Sequence, residues 1–442
     1  MLERFLTHIF YQKLFTLSDK LLVAVSGGVD SMVLAHLLKE GGFNFNLAHC
    51  NFQLRGKDSD ADETFVTNEA KQLKIECHVK KFETKKVSAN QKISIQQVAR
   101  NLRYEWFSEL REEYSYSHLL TAHHASDQTE TVLYNLVKGT GISGLRGILS
   151  ENKSIIRPLL FATRKEIVSY ATEKGLQWRE DSSNDDEKYS RNLIRHSVIP
   201  RLKQINPGLD QTMIRNTSRY FSLENLLAAT VEEIKSAHLK KKADHWILNS
   251  KWLDRQEGSL VILEEILKPF GINYDQTIRI LEAMKGQSGS VFTTSSHQLN
   301  VDRNQLVISL LKTDTQFEVS MDSSDKCIEL DGKSFSLKKE DVLNFEIIRN
   351  QNVACVDLEK LAFPLTLRNW QHGDRFVPLG MSTKKKVSDF MIDEKIPVNL
   401  KERVVVLQSG DDIVWIAGYR IDDRYKVTTA TRRVLIVEMS DV

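Results

Sequence analysis

The stretch Ser26-Gly27-Gly28-Val29-Asp30-Ser31 decides the fold of this 442-residue chain. An apolar run, residues 21–25, lies directly before it, and a second, mostly apolar run, residues 32–38, follows it. This order predicts a buried strand, a tight turn and the first turn of a helix. Backbone N–H groups and the positive end of a helix dipole both point into such a turn, which makes it an anion-binding site. A β–α turn that binds no ligand is the alternative.

The residue types in this turn suit a phosphate. Gly27 and Gly28 allow backbone angles and close approaches that other residues do not, and Ser26 and Ser31 add hydroxyl donors. Asp30 can hold a divalent cation beside the bound group. The stretch lacks the lysine of the Walker loop, so a clamp on a terminal phosphate is not expected. The turn therefore predicts a phosphate site built mainly from backbone.

The composition is that of a soluble globular protein with two or three domains. Hydrophobic residues make up 41% and charged residues 27% of the chain, and the formal net charge is +2. So small a net charge does not by itself indicate a nucleic-acid partner, which must be argued from local clusters. The four cysteines form no C-x-x-C pair, which argues against a disulfide framework, a zinc site and an iron–sulfur cluster. Since no apolar run reaches membrane length, we expect a cytoplasmic protein.

The order of the predicted elements divides the chain into three regions. Up to about residue 215, strands alternate with helices, which is typical of an α/β doubly wound parallel sheet. Ser59 and Ser94 are expected to cap two of these helices. From residue 216 to about 300 the pattern turns helical, with no strand expected in 216–285. Residues 301–442 indicate short β-strands, with a last domain at about 362–442 and a hairpin at Gly410.

Polar residues follow three predicted strands of the first region. They occupy residues 26–31, 49–55 and 123–130. The ligand crevice of a doubly wound sheet lies outside the carboxyl ends of its strands, so these three segments should face one cavity. Their convergence is stronger evidence for a site than any one segment.

Asp127 and Glu130 form the most informative pair in the third segment. With a helix beginning near Ser126, the two carboxylates lie three residues apart on one helix face. Beside a phosphate pocket, such a pair could ligate Mg²⁺ or hold an ammonium group. The alternative is a pair of helix N-terminal acids that only favour the helix dipole, with His123 and His124 as capping or core residues.

Arginines and lysines form clusters that suit phosphates, although solvated surface residues are the alternative in each case. The clusters are Arg55; Arg100 with Arg103; Arg191 with Arg195; and, in the last domain, Arg368, Arg375 and Lys384-Lys385-Lys386. Trp370 and Phe376 are interleaved with the last cluster. Basic residues alternating with aromatic ones can bind RNA through phosphates and base stacking.

Several longer strings resemble the tRNA(Ile)-lysidine synthetase family, whose nucleotide turn is the PP-loop of the ATP pyrophosphatases. Residues 26–31 resemble that loop, and the further strings are HCNFQLRG from His49, ARNLRY from Ala99, TAHHASDQTET from Thr121, DSSN from Asp181, RNLIR from Arg191 and GDRFVPLGM from Gly373. The resemblance covers nearly the whole chain and is weakest through its middle. One position departs from the family pattern, in which two acids precede the glutamine, because this chain has Ser126 and Asp127 there.

The resemblance implies a PP-loop catalytic domain at 1–215, a helical tRNA-contacting domain at 216–300 and a β-rich region at 301–442 that contains a tRNA-binding domain. It implies a ligase that joins L-lysine to C2 of cytidine 34 in the CAU anticodon of tRNA(Ile). ATP is cleaved to AMP and pyrophosphate in this reaction, through an adenylated cytidine. Mg²⁺ is the implied cofactor. The implied partners are tRNA(Ile), ATP and L-lysine, with no membrane partner and with a homodimer left open.

The same resemblance assigns roles to residues of this chain. The catalytic residues are Asp30, His123, Asp127 and Glu130; Asp30 would hold the metal, and Asp127 and Glu130 would bind lysine. The ATP-binding residues are Ala24, Ser26, Gly27, Gly28, Val29, Asp30, Ser31, Asn51 and Arg100. The tRNA-binding residues are Arg55, Arg103, Arg191, Arg195, Arg368, Arg375, Lys384, Lys385 and Lys386.

Three other functions are compatible with a PP-loop. A tRNA thiolase needs a cysteine carrier or cluster, and here only Cys50 follows a strand near the crevice. A ligase for a small metabolite would leave the C-terminal half without a role. A non-catalytic tRNA-binding protein would not need an intact loop with Asp30.

Overall fold

The computed structural model describes residues 1–179, 190–242, 244–253, 256–286, 289–311, 317–330, 332–342 and 345–441. The chain forms two compact units, Met1–Leu226 and Leu227–Val442. The string 181–184 that contributes to the family resemblance lies outside the described residues.

The first unit is built on a six-stranded sheet in the order β3-β2-β1-β4-β6-β5. All its neighbouring strands are parallel except β5, which runs antiparallel to β6. The strands are β1 (Lys20–Ala24), β2 (Asn44–Asn51), β3 (Cys77–Lys81), β4 (His118–Leu120), β5 (Glu151–Asn152) and β6 (Ile155–Ile156). The chain reverses its direction of travel across the sheet at β1, so the crevice of a doubly wound fold is expected beside this strand.

Helices cover both faces of this sheet. The helices of this unit are α1 (Leu2–Gln12), α2 (Val29–Glu40), α3 (Lys57–Leu73), α4 (Thr84–Gln91), α5 (Ile95–Glu113), α6 (Ala125–Lys138), α7 (Ile142–Leu145), α8 (Arg164–Glu173), α9 (Ser190–Leu193) and α10 (Ile199–Ile205). Helix α11 (Leu209–His238) begins in this unit and continues past Leu226. A π-helical turn, Ile194–Val198, joins α9 to α10. Leu21 and Val23 pack into one core and Leu22 into the other, as the two-residue period of a strand requires. The predicted doubly wound sheet is therefore confirmed.

Of the two predicted helix caps, the one at Ser94 is confirmed and the one at Ser59 is wrong. Helix α3 begins at Lys57 rather than at Ser59, whose Oγ accepts a hydrogen bond from Arg55 N at 3.2 Å. Ser94 does cap α5, since its Oγ accepts from Gln97 N at 3.3 Å. The Gln97 amide donates to Asn101, however, so the reciprocal bond of a capping box is not made.

The second unit begins with a five-stranded antiparallel sheet in the order β7-β8-β11-β10-β9. Its strands are β7 (Leu239–Lys241), β8 (His245–Asn249), β9 (Val291–Thr293), β10 (His297–Asp302) and β11 (Gln305–Leu310), and α12 (Ser259–Leu267) and α13 (Tyr274–Lys285) accompany them. The middle region is helical in α11, α12 and α13, but the prediction that 216–285 contains no strand is wrong. Strand β8 is half-buried except at Leu248, so its sequence shows no clear alternation of apolar and polar residues. It is held in the sheet by pairing with β11, which lies far along the chain.

The rest of the second unit is rich in β-structure. It contains β12 (Glu318–Met321), β13 (Cys327–Leu330), β14 (Lys333–Asp341), β15 (Val353–Asp357), β16 (Leu365–Asn369), β17 (Arg375–Phe376), β18 (Lys385–Lys386), α14 (Val387–Asp393), α15 (Val398–Lys401), β19 (Val405–Ser409), β20 (Asp412–Ile416), β21 (Arg420–Ile421) and β22 (Arg433–Asp441). These strands form sheets in the orders β12-β16-β19-β20-β21 and β13-β14-β22-β15, and a small β17-β18 ribbon. The two larger sheets share one core, in which Trp415 meets Phe335. The predicted hairpin joins β19 to β20, with Gly410 at φ 55°.

Candidate active site

The three polar segments that follow strands lie at one edge of the first sheet. Strands β1, β2 and β4 are parallel neighbours, so their carboxyl ends point the same way. His49 Nδ1 lies 3.0 Å from Val25 O, which ties the end of β2 to the end of β1. His124 Nε2 lies 3.5 Å from Asp30 Oδ1, which brings the third segment against the first. The expected convergence of the segments is confirmed.

The turn after β1 is closed by its own serines. Ser31 Oγ donates to Gly28 O at 2.9 Å and accepts from Ser26 N at 3.3 Å, while Ser26 Oγ accepts from Gly28 N at 3.3 Å. Gly27 has a φ of +90°, which favours glycine, and a Cβ there would touch Phe65 and Val66 at 3.4 Å. Gly28 has an ordinary φ of −74°, so a glycine is not needed there for its backbone angles. Its lack of a side chain instead leaves the start of α2 open to a ligand.

Asp30 stands in the first turn of α2 between two nitrogen-bearing side chains. Its Oδ2 accepts from Arg164 Nη1 at 2.8 Å, and its Oδ1 is buried without a hydrogen-bond partner among the described residues. An orphaned carboxylate oxygen beside a phosphate turn fits Mg²⁺, which proteins often hold through one carboxylate and the phosphates of a substrate. No group of three His, Cys, Asp or Glu side chains in the described parts of the chain forms a metal cluster.

His124 links Asp30 to the acidic helix. Its Nδ1 accepts from Ser126 N at 3.2 Å, and Asp127 Oδ2 accepts from His124 N at 2.9 Å, which makes a capping box at the start of α6. Because Nδ1 is an acceptor, a neutral His124 carries its proton on Nε2, which faces Asp30. His124 was expected only as a capping or core residue, and it serves as both a cap and a contact to Asp30.

The carboxylates of Asp127 and Glu130 both face Arg195. Arg195 Nε donates to Glu130 Oε1 at 2.6 Å, and its Nη2 lies 3.4 Å from Asp127 Oδ1. Burial raises the pKa of Glu130, and the neighbouring Asp127 adds to this rise, although Arg195 opposes it. The pair is therefore arranged to hold a cation that donates hydrogen bonds. Arg195, a predicted tRNA-binding residue, faces these carboxylates from the π-helical turn.

His123 is held neutral within the same crevice. Its Nδ1 lies 2.9 Å from Thr121 Oγ1. Burial lowers its pKa to about 4, with contributions from Arg157, His124 and Arg100, although Asp127 opposes the change. At neutral pH the ring is therefore uncharged, and its lowered pKa makes it a weak proton acceptor.

Gln128, between the two acids, ties α6 to the glycine-rich segment after it. Its Nε2 donates to Arg146 O and Ile148 O, each at 3.2 Å, and its Oε1 accepts from Ile148 N at 2.5 Å. Gly147 lies so close that a Cβ there would come within 2.7 Å of the Gln128 amide. The Gln128 amide thus satisfies backbone groups of residues 146–148 and holds this segment against the acidic helix.

Asp210 joins the acidic helix to the start of α11. The carboxylate is 6% exposed and accepts from Ser126 Oγ at 2.9 Å, Thr129 Oγ1 at 2.8 Å and Lys203 Nζ at 2.7 Å. Burial alone would raise the pKa of Asp210, but these hydrogen bonds outweigh it and lower the pKa. Ser126, which departs from the family pattern, therefore faces a carboxylate supplied by another helix.

The loop after β2 uses its predicted site residues internally. Asn51 is buried and donates to Glu63 at 2.7 Å and Asp60 at 3.1 Å. Arg55 Nη2 bonds Asp62 at 2.8 Å, and this carboxylate also accepts from Arg179 Nε at 2.5 Å. These contacts shape the loop and leave the roles of Asn51 and Arg55 toward a substrate as predictions.

The arginines on helices near the crevice lie on aromatic rings. Arg100 lies 5.0 Å above Tyr104, Arg103 lies 5.2 Å above Phe52, and Arg191 lies 5.3 Å above Tyr134. All three side chains are exposed. An exposed guanidinium on an aromatic face keeps donors available for a phosphate.

Basic residues of the last domain divide into exposed and internal ones. Arg375 and Lys386 are exposed and directly opposite each other in the β17-β18 ribbon. Lys385 pairs with Asp393, and Lys384 Nζ lies 3.8 Å from Asp412. Like charges that face each other across a ribbon repel, so this pair favours an anion nearby.

Arg368 corrects one prediction. It is 8% exposed, and it bonds Asp374 through Nη1 and Nη2 at 2.9 Å each, Gln408 through Nε at 2.6 Å, and Asn369 O at 2.9 Å. A side chain with its donors so engaged holds the turn before β17, so we no longer assign Arg368 to tRNA binding.

Four contact residues were missed from the sequence. Arg164 reaches Asp30, Arg179 N donates to Gly27 O at 3.0 Å, and Asp210 and Arg157 have been described above. Arg157 carried no usable signal either, because the apolar stretch 155–160 predicts a strand that runs through it, whereas β6 ends at Ile156. The other three come from helices or loops that pattern alone does not bring to the crevice.

No helix in the described parts of the chain is both long and apolar enough to cross a membrane.

Three family models match the chain. They describe a PP-loop domain at residues 2–202, a TilS substrate binding domain at 241–311 and a TilS substrate C-terminal domain at 365–437. A tRNA(Ile)-lysidine synthase of Bacteroides thetaiotaomicron is 35% identical over 99% of this chain and 99% of its own length. Those of Parabacteroides distasonis and Porphyromonas gingivalis are 37% and 36% identical, over 97% and 96% of this chain and 98% and 95% of their own lengths. Among solved structures, a U34-tRNA thiolase from Methanococcus maripaludis is similar at a TM-score of 0.41 and 18% identity, over 49% of this chain and 77% of the thiolase.

The relatives at 35–37% identity match from end to end, and the PP-loop match covers the unit that holds the crevice. On this evidence the chain belongs to the tRNA(Ile)-lysidine synthase (synthetase) family.

Proposed function

We propose that this protein joins L-lysine to C2 of cytidine 34 in the CAU anticodon of tRNA(Ile), at the cost of one ATP cleaved to AMP and pyrophosphate. The observation that carries the proposal is the Asp127–Glu130 pair, which holds a cationic group in the same crevice as the PP-loop. A phosphate turn serves the ATP, and a cation-binding pair serves the lysine amine. The names of the full-length relatives supply the RNA substrate.

The first step is adenylation of the RNA base. The C2 oxygen of the cytosine attacks the α-phosphorus of ATP, the bond to the β-phosphate oxygen breaks, and pyrophosphate leaves. Ser26 Oγ accepts from Gly28 N and has its own proton to donate to the charge that develops on the leaving group, while Ser31 holds the shape of the turn. Mg²⁺, held by Asp30, would neutralise phosphate charge when bound. Arg164, which already contacts Asp30, keeps the orientation of that carboxylate fixed.

The second step replaces AMP by lysine. The amine attacks C2, the bond from C2 to the AMP oxygen breaks, and AMP leaves. A free lysine amine has a pKa near 10.4, so it arrives as ammonium and must lose a proton before it attacks. Asp127 and Glu130 would bind the ammonium in place of Arg195. A carboxylate or His123 would take the proton, and the raised pKa of Glu130 makes it a better acceptor than His123, whose pKa is lowered.

The remaining site residues keep their predicted roles in this proposal, apart from Arg195 and Arg368. Ala24, residues 26–31, Asn51 and Arg100 serve ATP, and Arg55, Arg103, Arg191, Arg375 and Lys384-Lys385-Lys386 serve tRNA. Arg195 is reassigned to the acid pair. We retain the domain assignment of 1–215 to catalysis, 216–300 to tRNA contact and 301–442 to the β-rich region with a tRNA-binding domain at about 362–442. Cytoplasmic location and a homodimer remain predictions.

The experiment is a ligation assay with purified protein, ATP, Mg²⁺, labelled lysine and a CAU-anticodon tRNA(Ile) transcript. We expect label on the RNA with AMP and pyrophosphate in equal amounts. ATP–pyrophosphate exchange without lysine incorporation, or no turnover at all, would contradict the proposal. The variant Asp127→Asn should keep exchange and lose lysine transfer, and Asp341→Asn, which changes an exposed carboxylate at the end of β14, is the matched control.

A further inference from the structure

We infer that Arg157 is a binding residue for a nucleotide phosphate, acting together with Arg100 at the carboxyl end of β6. This inference rests on the proposed function, which assigns the strand-end crevice to the nucleotide substrates. It adds Arg157 to the binding residues, and it adds a phosphate that the PP-loop does not bind.

Arg157 directly follows β6, the parallel neighbour of β4. The register pairs Leu120 with Ile156, and Thr121 N donates to Ile156 O at 3.0 Å. Arg157 is therefore level with Thr121, whose hydroxyl holds His123. The Arg157 side chain therefore leaves the backbone at the carboxyl ends of the strands, where the crevice lies, and not at their amino ends.

The guanidinium lacks an anionic partner. Its Nη1 donates to Leu149 O at 2.8 Å, whereas its Nε is buried with no hydrogen-bond partner. In the described parts of the chain no carboxylate lies within 4 Å of Arg157. Burying a charge without a counter-charge is costly, so the site is complete only when an anion is present.

One other guanidinium and one aromatic ring act on Arg157. Arg100 and Tyr104 on α5 are both close enough to act on Arg157 electrostatically, and Arg100 lies on the Tyr104 ring. Burial lowers the pKa of Arg157, and Arg100 adds to this change. Two guanidiniums that repel each other beside a neutral histidine make a site for a dianion or a phosphodiester, and the adjacent Tyr104 offers a face for a base.

A phosphate at this point could belong to ATP or to the RNA strand at the target cytidine. Both present the same oxygens to a forked guanidinium. The test therefore measures both ligands separately with the full-length protein.

The variants are Arg157→Gln, which removes the charge, and Arg157→Lys, which keeps the charge but not the fork. Arg111→Gln is the matched control. Arg111 is another arginine with a buried, unpartnered Nε, and it contacts Ser154 at the opposite end of β6. Loss of that residue tests whether any such arginine produces the effect through stability alone.

One arm measures ATP binding without RNA by calorimetry, and the other measures tRNA(Ile) binding over a range of salt concentrations. If the phosphate is that of ATP, Arg157→Gln should weaken ATP binding about tenfold and leave the salt slope of tRNA binding unchanged. If it is an RNA phosphate, the log–log salt slope should fall by about 0.7 with ATP binding unchanged. In both cases Arg157→Lys should recover part of the loss and Arg111→Gln should behave as wild type.

Normal ATP affinity together with an unchanged salt slope in a folded Arg157→Gln protein would overturn the inference. The same effects in Arg111→Gln would also overturn it, because they would be general consequences of lost packing. Failure of the crevice assignment gives a different result. In that case Gly27→Val, in the PP-loop, would bind ATP as wild type does.

Discussion

Asp210 offers a quantitative test of how the acidic helix is held. Replacing it by alanine removes two hydrogen bonds from hydroxyls, those of Ser126 and Thr129, and one from the Lys203 ammonium. Each hydroxyl bond to a charged acceptor contributes about 1.5 kcal/mol. Lys203 is 37% exposed, so its ion pair is screened and is counted as about 0.5 kcal/mol. We therefore expect Asp210→Ala to destabilise the first unit by about 3.5 kcal/mol.

The assay is thermal unfolding monitored by calorimetry, with urea unfolding as a check. For a unit of this size, about 3.5 kcal/mol corresponds to a fall in Tm of roughly 7–14 °C. The lowered pKa of Asp210 fixes the pH dependence. Its contribution is complete above the ordinary Asp pKa of about 3.9 and is lost as the pH falls through the lower folded value. The difference between Asp210→Ala and wild type should therefore shrink in acid.

A double-mutant cycle separates this network from general packing. Thr129→Val alone should cost about 1.5 kcal/mol, and in the Asp210→Ala background it should cost much less, since its acceptor is already gone. A fall in Tm below about 2 °C for Asp210→Ala, or full additivity of the two changes, would refute the reasoning.

Three further predictions concern the crevice and the last domain. Because the pKa of Glu130 is raised, the KM for lysine should rise as the pH falls through that raised value, and Glu130→Gln should give a flat KM profile over the same range. Gly27→Ala should cost about 1–2 kcal/mol of stability through its φ of +90° and weaken ATP binding, as checked by unfolding and calorimetry. Neutralising Arg375 and Lys386 together should lower the salt slope of tRNA binding by about 2, whereas Arg368→Gln should leave the slope unchanged and destabilise the protein by about 3–5 kcal/mol.

The sequence predicted the parts of the molecule whose signals are local. The strand, the turn and the helix around Gly27 are contiguous in the chain, and the strand-end rule then brings Asp30 close to His124, at the start of the acidic helix, without further information. The pairing of Asp127 with Glu130 on one helix face follows from helix geometry alone. For these residues, a short stretch of sequence determines both the type of side chain and its position in the fold.

The sequence failed where a side chain's partner comes from far along the chain. Arg195 was grouped with Arg191 because the two are four residues apart, yet a π-helical turn and the acids of α6 decide where Arg195 lies. Arg368 was predicted to bind tRNA from the surface, but Asp374 and Gln408 take up its donors inside the domain. Strand β8 was missed for the same reason, since its core face exists only once β11 pairs with it.

The contact between Gln128 and Gly147 has a consequence for the history of this sequence. The amide of Gln128 occupies the space that any side chain at position 147 would need, and its length matches the backbone groups of 146–148. A shorter residue at 128 would leave those groups unsatisfied, and a larger residue at 147 would push the amide away. The two positions should therefore covary among relatives, with changes at one accompanied by changes at the other.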